Sequence, residues 1–327
     1  MPGNLFLIEL IFIQRCPAGE GPKWTKAILF MRTIYTYSWR VKVRNIPKSS
    51  LLYARRAIVW NKDSGPFLSG DAFAKLSGVS VFPPRFRGKN PSRRDIATAS
   101  IIFCPSHRLE DLLTDYGTII TSKALLLGNS DRDFVSPIEN LPRSIKKVFC
   151  QNLAFKDPRY HVLPIGIENL RLATNGDTRL FSREFFVEEK SEKVLLGPFS
   201  KTHVERDEFR FSDFADDKFV ILNDRLKPRC YAQLSSAFRF IAAPRGNGLD
   251  THRFWETLYR GGIPIVKKSV WSTQIRELGI PLLEVNSWHA NDVREAVNFA
   301  EKSMSVRLEL PQLWINWWEQ LIRKEVQ

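Results

Sequence analysis

Arg245, Asp250, His252, Arg253 and Glu256 fall within one short stretch, FRFIAAPRGNGLDTHRFWETLYRGGIPIV (Phe238–Val266). Their types and spacing suit the handling of a phosphorylated ligand. Arg245 carries a planar guanidinium with five donors, a shape matched to a diphosphate. Gly246 and Gly248, with Asn247 between them, can take positive φ and let backbone N–H groups approach a ligand. Asp250 stands where a helix N-cap belongs, and its carboxylate would occupy the positive end of that helix. His252 and Glu256 are spaced to share a helical face, with Arg260 one turn further on. Glu256 can then accept two ribose hydroxyls, while His252 can bond a phosphate or a sugar hydroxyl. A plainer reading makes His252 and Glu256 an ordinary helical pair and Arg245 a surface charge.

The elements that must position these residues are legible around them. An apolar strand (Phe238–Ala243) leads into the glycine-bearing loop, a helix runs from about Thr251 to Arg260, and Gly261 and Gly262 end it before a second apolar strand. This order presents a helix N-terminus beyond a parallel sheet, where phosphates bind. Phe254, Trp255 and Leu258 face away from the ligand side, into the core. Elsewhere, strand-like runs (Arg56–Trp60, Ala99–Cys104, Ala124–Gly128, Lys147–Cys150, His161–Ile165) alternate with helical patches such as Leu109–Tyr116. Alternation of this kind predicts an α/β fold with an open sheet covered on both faces. Polar loops at Ser69–Asp71, Asn129–Asp131 and Ile167–Asn169 follow several strands and should face a cleft. Asn129, Asp131 and Asn169 are the cleft-lining candidates. Asp71 is the best carboxylate for a general base, its plainer role being a helix N-cap.

PRGNGLDTHRFWETLYRGGIPIV resembles the donor-binding motif of exostosin-like glycosyltransferases and their bacterial relatives, which have the two-domain GT-B architecture. Weaker blocks extend the resemblance over roughly Leu52 to Trp288: PFLSGDAF, ALLLGNSDRDF, FCQNL, LPIGIEN and GPFSKTHVERDEF. The resemblance implies two Rossmann-like domains facing a central cleft and transfer of a sugar from a nucleotide-sugar donor to a glycan or lipid-linked acceptor. It implies a donor site of Arg206, Arg245, Gly246, Asn247, Gly248, Asp250, His252, Arg253 and Glu256, with His252 and Asp71 as catalytic candidates. Arg206 would join Arg245 on a leaving diphosphate, making a metal unnecessary. One departure stands out. Many retaining enzymes of this architecture carry a second glutamate eight residues before the ribose-binding one, and Gly248 occupies that position here, so inversion and retention both stay open.

At 327 residues and 43% hydrophobic, the chain can bury two cores. The boundary is expected near Thr178–Lys193, dividing an acceptor-side domain (1–185, with residues 1–50 unassigned) from a nucleotide-sugar-binding domain (186–327). A net charge of +14 favours anionic partners, including the headgroup face of an anionic membrane. No helix-turn-helix, zinc-finger or RNP-type pattern accompanies it, which speaks against specific nucleic-acid binding. Cys16, Cys104, Cys150 and Cys230 are scattered, as free thiols in a reducing compartment would be, and point to a cytoplasmic protein. Asp131-Arg132-Asp133 matches the D-x-D triplet of metal-dependent glycosyltransferases, a pattern that chance also supplies. Asn4–Ile13 is too short an apolar run to span a bilayer and reads as a strand. At the other end, Leu313, Trp314, Trp317, Trp318, Leu321 and Ile322 form an apolar stripe at helical spacing. That helix should pack back on the first domain, with a membrane surface as the alternative. Three rivals to the transferase reading remain: a catalytically silent sugar-binding relative, another α/β nucleotide-binding enzyme, and a basic nucleic-acid-binding module. A dehydrogenase has least support, since no G-x-G-x-x-G opens a helix.

Overall fold

The structure is a computed structural model that describes residues 64–83, 89–172, 175–182, 185–303 and 310–326. The chain divides into two compact units, Met1–Leu51 and Leu52–Gln327, and every described residue belongs to the second. The readings made for Asn4–Ile13 and Arg56–Trp60 lie outside the described residues.

The second unit contains two parallel five-stranded sheets. The first is built from β1 (Val79–Ser80), β2 (Ile101–Pro105), β3 (Ala124–Gly128), β4 (Lys147–Cys150) and β5 (Tyr160–Val162), side by side in chain order. Helices α1 (Gly70–Leu76), α2 (Arg93–Thr98) and α3 (Leu109–Tyr116) accompany it. β2 and β3 are buried along their whole length. Runs such as IIFCP and ALLLG have no polar alternation because both faces of a parallel sheet are covered. Helix starts follow local chemistry: the Ser69 hydroxyl accepts from Ala72 N at α1, and Ser92 with Asp95 makes a capping box at α2.

The second sheet uses β6 (Ser191–Leu196), β7 (Phe219–Ile221), β8 (Phe238–Ala242), β9 (Ile263–Lys267) and β10 (Leu283–Val285), in the spatial order β7-β6-β8-β9-β10. Its helices are α4 (Pro228–Ser236), α5 (His252–Tyr259), α6 (Val270–Glu277) and α7 (Ala290–Ser303). Strand β6 pairs in parallel with both β7 and β8, so the order reverses there. The loops leaving the carboxyl ends of β6 and β8 therefore diverge, which is where open α/β sheets place ligands.

The two sheets share one apolar cluster. Phe254, Trp255 and Leu258 of α5 and Trp271 and Ile275 of α6 pack with first-sheet residues such as Leu126 and Phe149. The last helix, α8 (Ile315–Glu325), buries Trp318 and Ile322 and sets Trp318 edge-on to Phe73 of α1. Its far end reaches β4 through a Lys147–Glu325 ion pair of 2.8 Å. No helix among the described residues is long and apolar enough to cross a membrane. Cys104 and Cys150 are buried free thiols, but Cys230 is disulfide-bonded. The reading of free thiols throughout is corrected at that position.

Candidate functional site

The loop between β8 and α5 docks on the first half of the unit, and the D-x-D triplet is what receives it. Arg245 Nη2 donates to Asp133 Oδ2 at 2.7 Å, and Asn247 Nδ2 to Asp131 Oδ2 at 3.0 Å. Leu249 N donates to Asp133 Oδ1, while Arg132 turns outward to Glu110. Two carboxylates two positions apart thus grip one loop, and Asp131 serves as a loop contact. Among the described residues, no group of three or more His, Cys, Asp or Glu side chains could hold a metal ion. Arg245 is held by these contacts and does not line the neighbouring cavity.

Three local readings need correction. Neither Gly246 nor Gly248 has positive φ. A Cβ at Gly248 would meet the Asn152 side-chain amide at 2.6 Å, so any larger residue there has to displace that amide, and Gly246 lies against Arg206 Nη2. Asp250 is not the N-cap of α5. Thr251 holds that position without a side-chain bond, and Asp250 is fully buried, accepting from Ile165 N at 2.7 Å and Trp255 Nε1 at 2.8 Å. Burial raises the Asp250 carboxyl to about 7, against the opposing pull of N–H donors from Ile165, Trp255 and Thr251. His252 Nδ1 lies 2.8 Å from the Gly166 carbonyl. A carbonyl can only accept, so this ring nitrogen carries the hydrogen, and the histidine ties α5 to the loop after β5.

The cavity opens on the other side of α5, at the reversal between β6 and β8. It holds about 300 Å³ and is lined by Arg206, Arg225, Arg253, Arg260, Glu256 and Tyr231, with Ser200 and Pro198 from the loop after β6. Four arginines against one carboxylate give it a positively charged lining. Arg206 stitches the two diverging loops together: Nε donates to Arg245 O at 2.7 Å, Nη1 to Ser200 O at 2.9 Å and Nη2 to Pro244 O at 3.3 Å. Burial, with Arg253 adding to it, lowers the pKa of Arg206, and Glu205 opposes them. Arg253, in the first turn of α5, donates to Pro198 O at 2.9 Å and lies over the Phe199 and Tyr231 rings. Arg225 donates to the Ser200 hydroxyl. Glu256 accepts from Arg260 Nη1 at 3.4 Å, the two being one helical turn apart.

Of the sequence candidates, the cavity therefore gathers Arg206, Arg253 and Glu256. A separate polar network gathers Asp71, Asn129 and Asn169. Asp71 N donates to Asn169 Oδ1, Asn169 Nδ2 to Asn129 Oδ1, and Asn129 Nδ2 reaches Asp71 Oδ1 at 3.4 Å. Asp71 is 2% exposed and paired with Arg171 at 2.9 Å. It follows the N-cap, Ser69, rather than serving as one. The polar loops after β3 and β5 meet here at the start of α1, but none of the three residues lines the cavity.

Ser200, Arg225, Tyr231 and Arg260 are cavity residues that the motif did not nominate. Arg260 carried a readable signal, since it stands four residues after Glu256; Arg225 and Tyr231 reach the cavity only because β7 and α4 flank β6. No family model matches the chain, and no curated protein matches it.

Proposed function

We propose that this chain is a glycosyltransferase of GT-B type that takes a sugar from a nucleotide-sugar donor, bound in the cavity between the β6 and β8 loops. The observation that carries the reading is the meeting of Arg206, Arg225 and Arg253 with Glu256 at the strand-order reversal of a parallel sheet. The arginines, with the N-terminus of α5, would stabilise the charge that builds on a leaving diphosphate without a metal. Glu256 would accept the ribose hydroxyls. His252 would act by holding α5 against the Gly166 loop, as a positioning residue. The acceptor, a glycan or a lipid-linked sugar, would enter from the first half of the unit. Asp71 is sealed by Arg171, Asn129 and Asn169, so the acceptor's base is not assigned to it. The reading carries with it peripheral contact with an anionic membrane surface. A catalytically silent nucleotide-binding relative is the second reading, favoured by the engagement of Arg245 with Asp133 and by the closure around Asp71.

Isothermal titration of UDP and GDP against the wild type, Arg253→Ala and Arg245→Ala tests the site. Loss of a charge-assisted contact to phosphate should weaken binding about tenfold or more in Arg253→Ala. Arg245→Ala should stay within about twofold, because its partner is Asp133. Equal affinity in wild type and Arg253→Ala would remove the cavity from the argument. Donor hydrolysis and transfer assays then separate the enzyme from its silent counterpart.

A further inference from the structure

The polar capacity of the cavity is spent unevenly. At the end nearest the β6 and β8 loops, Arg206, Arg225 and Arg253 each donate to the protein, and Arg253 stands in the first turn of α5. At the other end stands Arg260, the C-cap of α5, 5% exposed. Its Nε is buried without a hydrogen-bond partner, and so is the hydroxyl of Tyr231. The Tyr231 ring lies between the guanidinium groups of Arg253 and Arg260, at 5.5 and 5.9 Å, and the Phe181 ring covers Arg260 at 4.8 Å. A buried donor left without an acceptor is costly, and these two atoms, closed off in the structure, gain an oxygen when the neighbouring side chains shift to admit a ligand.

The direction of α5 decides which part of a ligand belongs there. Seven residues of helix separate Arg253 from Arg260, about 10 Å along the axis. The N-terminal end carries positive dipole charge and suits phosphate, whereas the C-terminal end is negative, disfavours phosphate and already holds the Arg260 cation. Glu256 lies between the two. Phosphates, ribose and base of one nucleotide can thus be laid along the helix in that order.

Resting on the reading of the cavity as a nucleotide-sugar site, we infer that Arg260 and Tyr231 are specificity-determining residues that bind the base of the nucleotide through a carbonyl oxygen. Arg260 Nε donates to that oxygen, the Tyr231 hydroxyl completes the contact, and binding draws Arg260 off Glu256, freeing the carboxylate for the ribose. The site therefore favours bases with a carbonyl, such as uracil and guanine, over adenine.

The test is calorimetric titration of the full chain with UDP, GDP, ADP and inorganic pyrophosphate, for wild type, Arg260→Met and Tyr231→Phe. Tyr231→Phe removes one oxygen and guards against a folding defect in Arg260→Met. Wild type should bind UDP and GDP at least tenfold more tightly than ADP. Each variant should lose about tenfold for UDP and GDP and keep its pyrophosphate affinity within twofold. Equal loss for pyrophosphate would place Arg260 on the phosphates and overturn the assignment, as would unchanged UDP and GDP binding in both variants or ADP matching them in the wild type. Wild type binding none of the nucleotides would instead sink the underlying donor-site reading, and this inference with it.

Discussion

Arg245 and Arg253 flank one loop, and the fold sends them to opposite sides of it. Both are guanidinium groups close to the start of α5, equally suited in the sequence to a phosphate; only one reaches the cavity. The difference lies in partners, because Asp133 is near enough to take Arg245 and Pro198 O holds Arg253 over the β6 loop. Asp250 shows the same dependence on surroundings. As an N-cap it would have been solvated and ionised, but it is fully buried between Ile165 N and Trp255 Nε1. Folding raises its pKa from 3.8 to about 7, so the native state favours the neutral acid. Its contribution to stability is present in full below pH 3.8 and is lost as pH rises to about 7. Asp250→Asn should flatten that slope. Urea denaturation at pH 5 and pH 8 measures it, and an identical pH response in variant and wild type would refute the assignment.

At the scale of elements, helix α5 behaves as its spacing dictates while the loop before it does not. The apolar positions Phe254, Trp255 and Leu258 recur at helical intervals, and all three are buried. Helix periodicity is a local property and survives any tertiary setting. The loop is different, because its glycines answer to a neighbour. A Cβ at Gly248 would meet Asn152, whose side chain accepts from Asp250 N at 2.8 Å and donates to Ser130 O at 3.3 Å. Gly248→Ala must displace that amide and should cost about 1–3 kcal/mol. Adding Asn152→Ala should make the combined loss smaller than the sum of the two single losses, since one clash is then absent. Strict additivity in chemical denaturation would mean that the glycine is needed for some other reason.

For the whole molecule, Tyr259 ties distant segments together at the end of α5. Its hydroxyl accepts from Leu68 N at 2.9 Å and donates to Leu313 O, joining the segment before α1 to the one before α8. Tyr259→Phe leaves Leu68 N without that acceptor and should cost about 1–3 kcal/mol, with faster hydrogen exchange at Leu68 N as its signature. Unaltered exchange there would argue that the bond carries no weight. Alternating strand-like and helical runs announced an open α/β sheet, since buried strands and amphipathic helices each leave a period in the chain, while its division into two sheets was expected from length and the family resemblance. Arg253 and Glu256 were also within reach, because they sit on the helix of that pattern, and Arg206 through the resemblance of the block GPFSKTHVERDEF. Arg225 and Tyr231 were not, being brought in by the reversal of strand order around β6, which no local period records. The pairing of Asp131 and Asp133 with the β8–α5 loop was equally hidden, for it joins residues more than a hundred positions apart. Periodicity and residue type thus determined the elements and the chemistry on offer. Which charges meet a cavity and which meet each other was decided only by tertiary packing, because a guanidinium is satisfied by whichever acceptor the fold brings nearest.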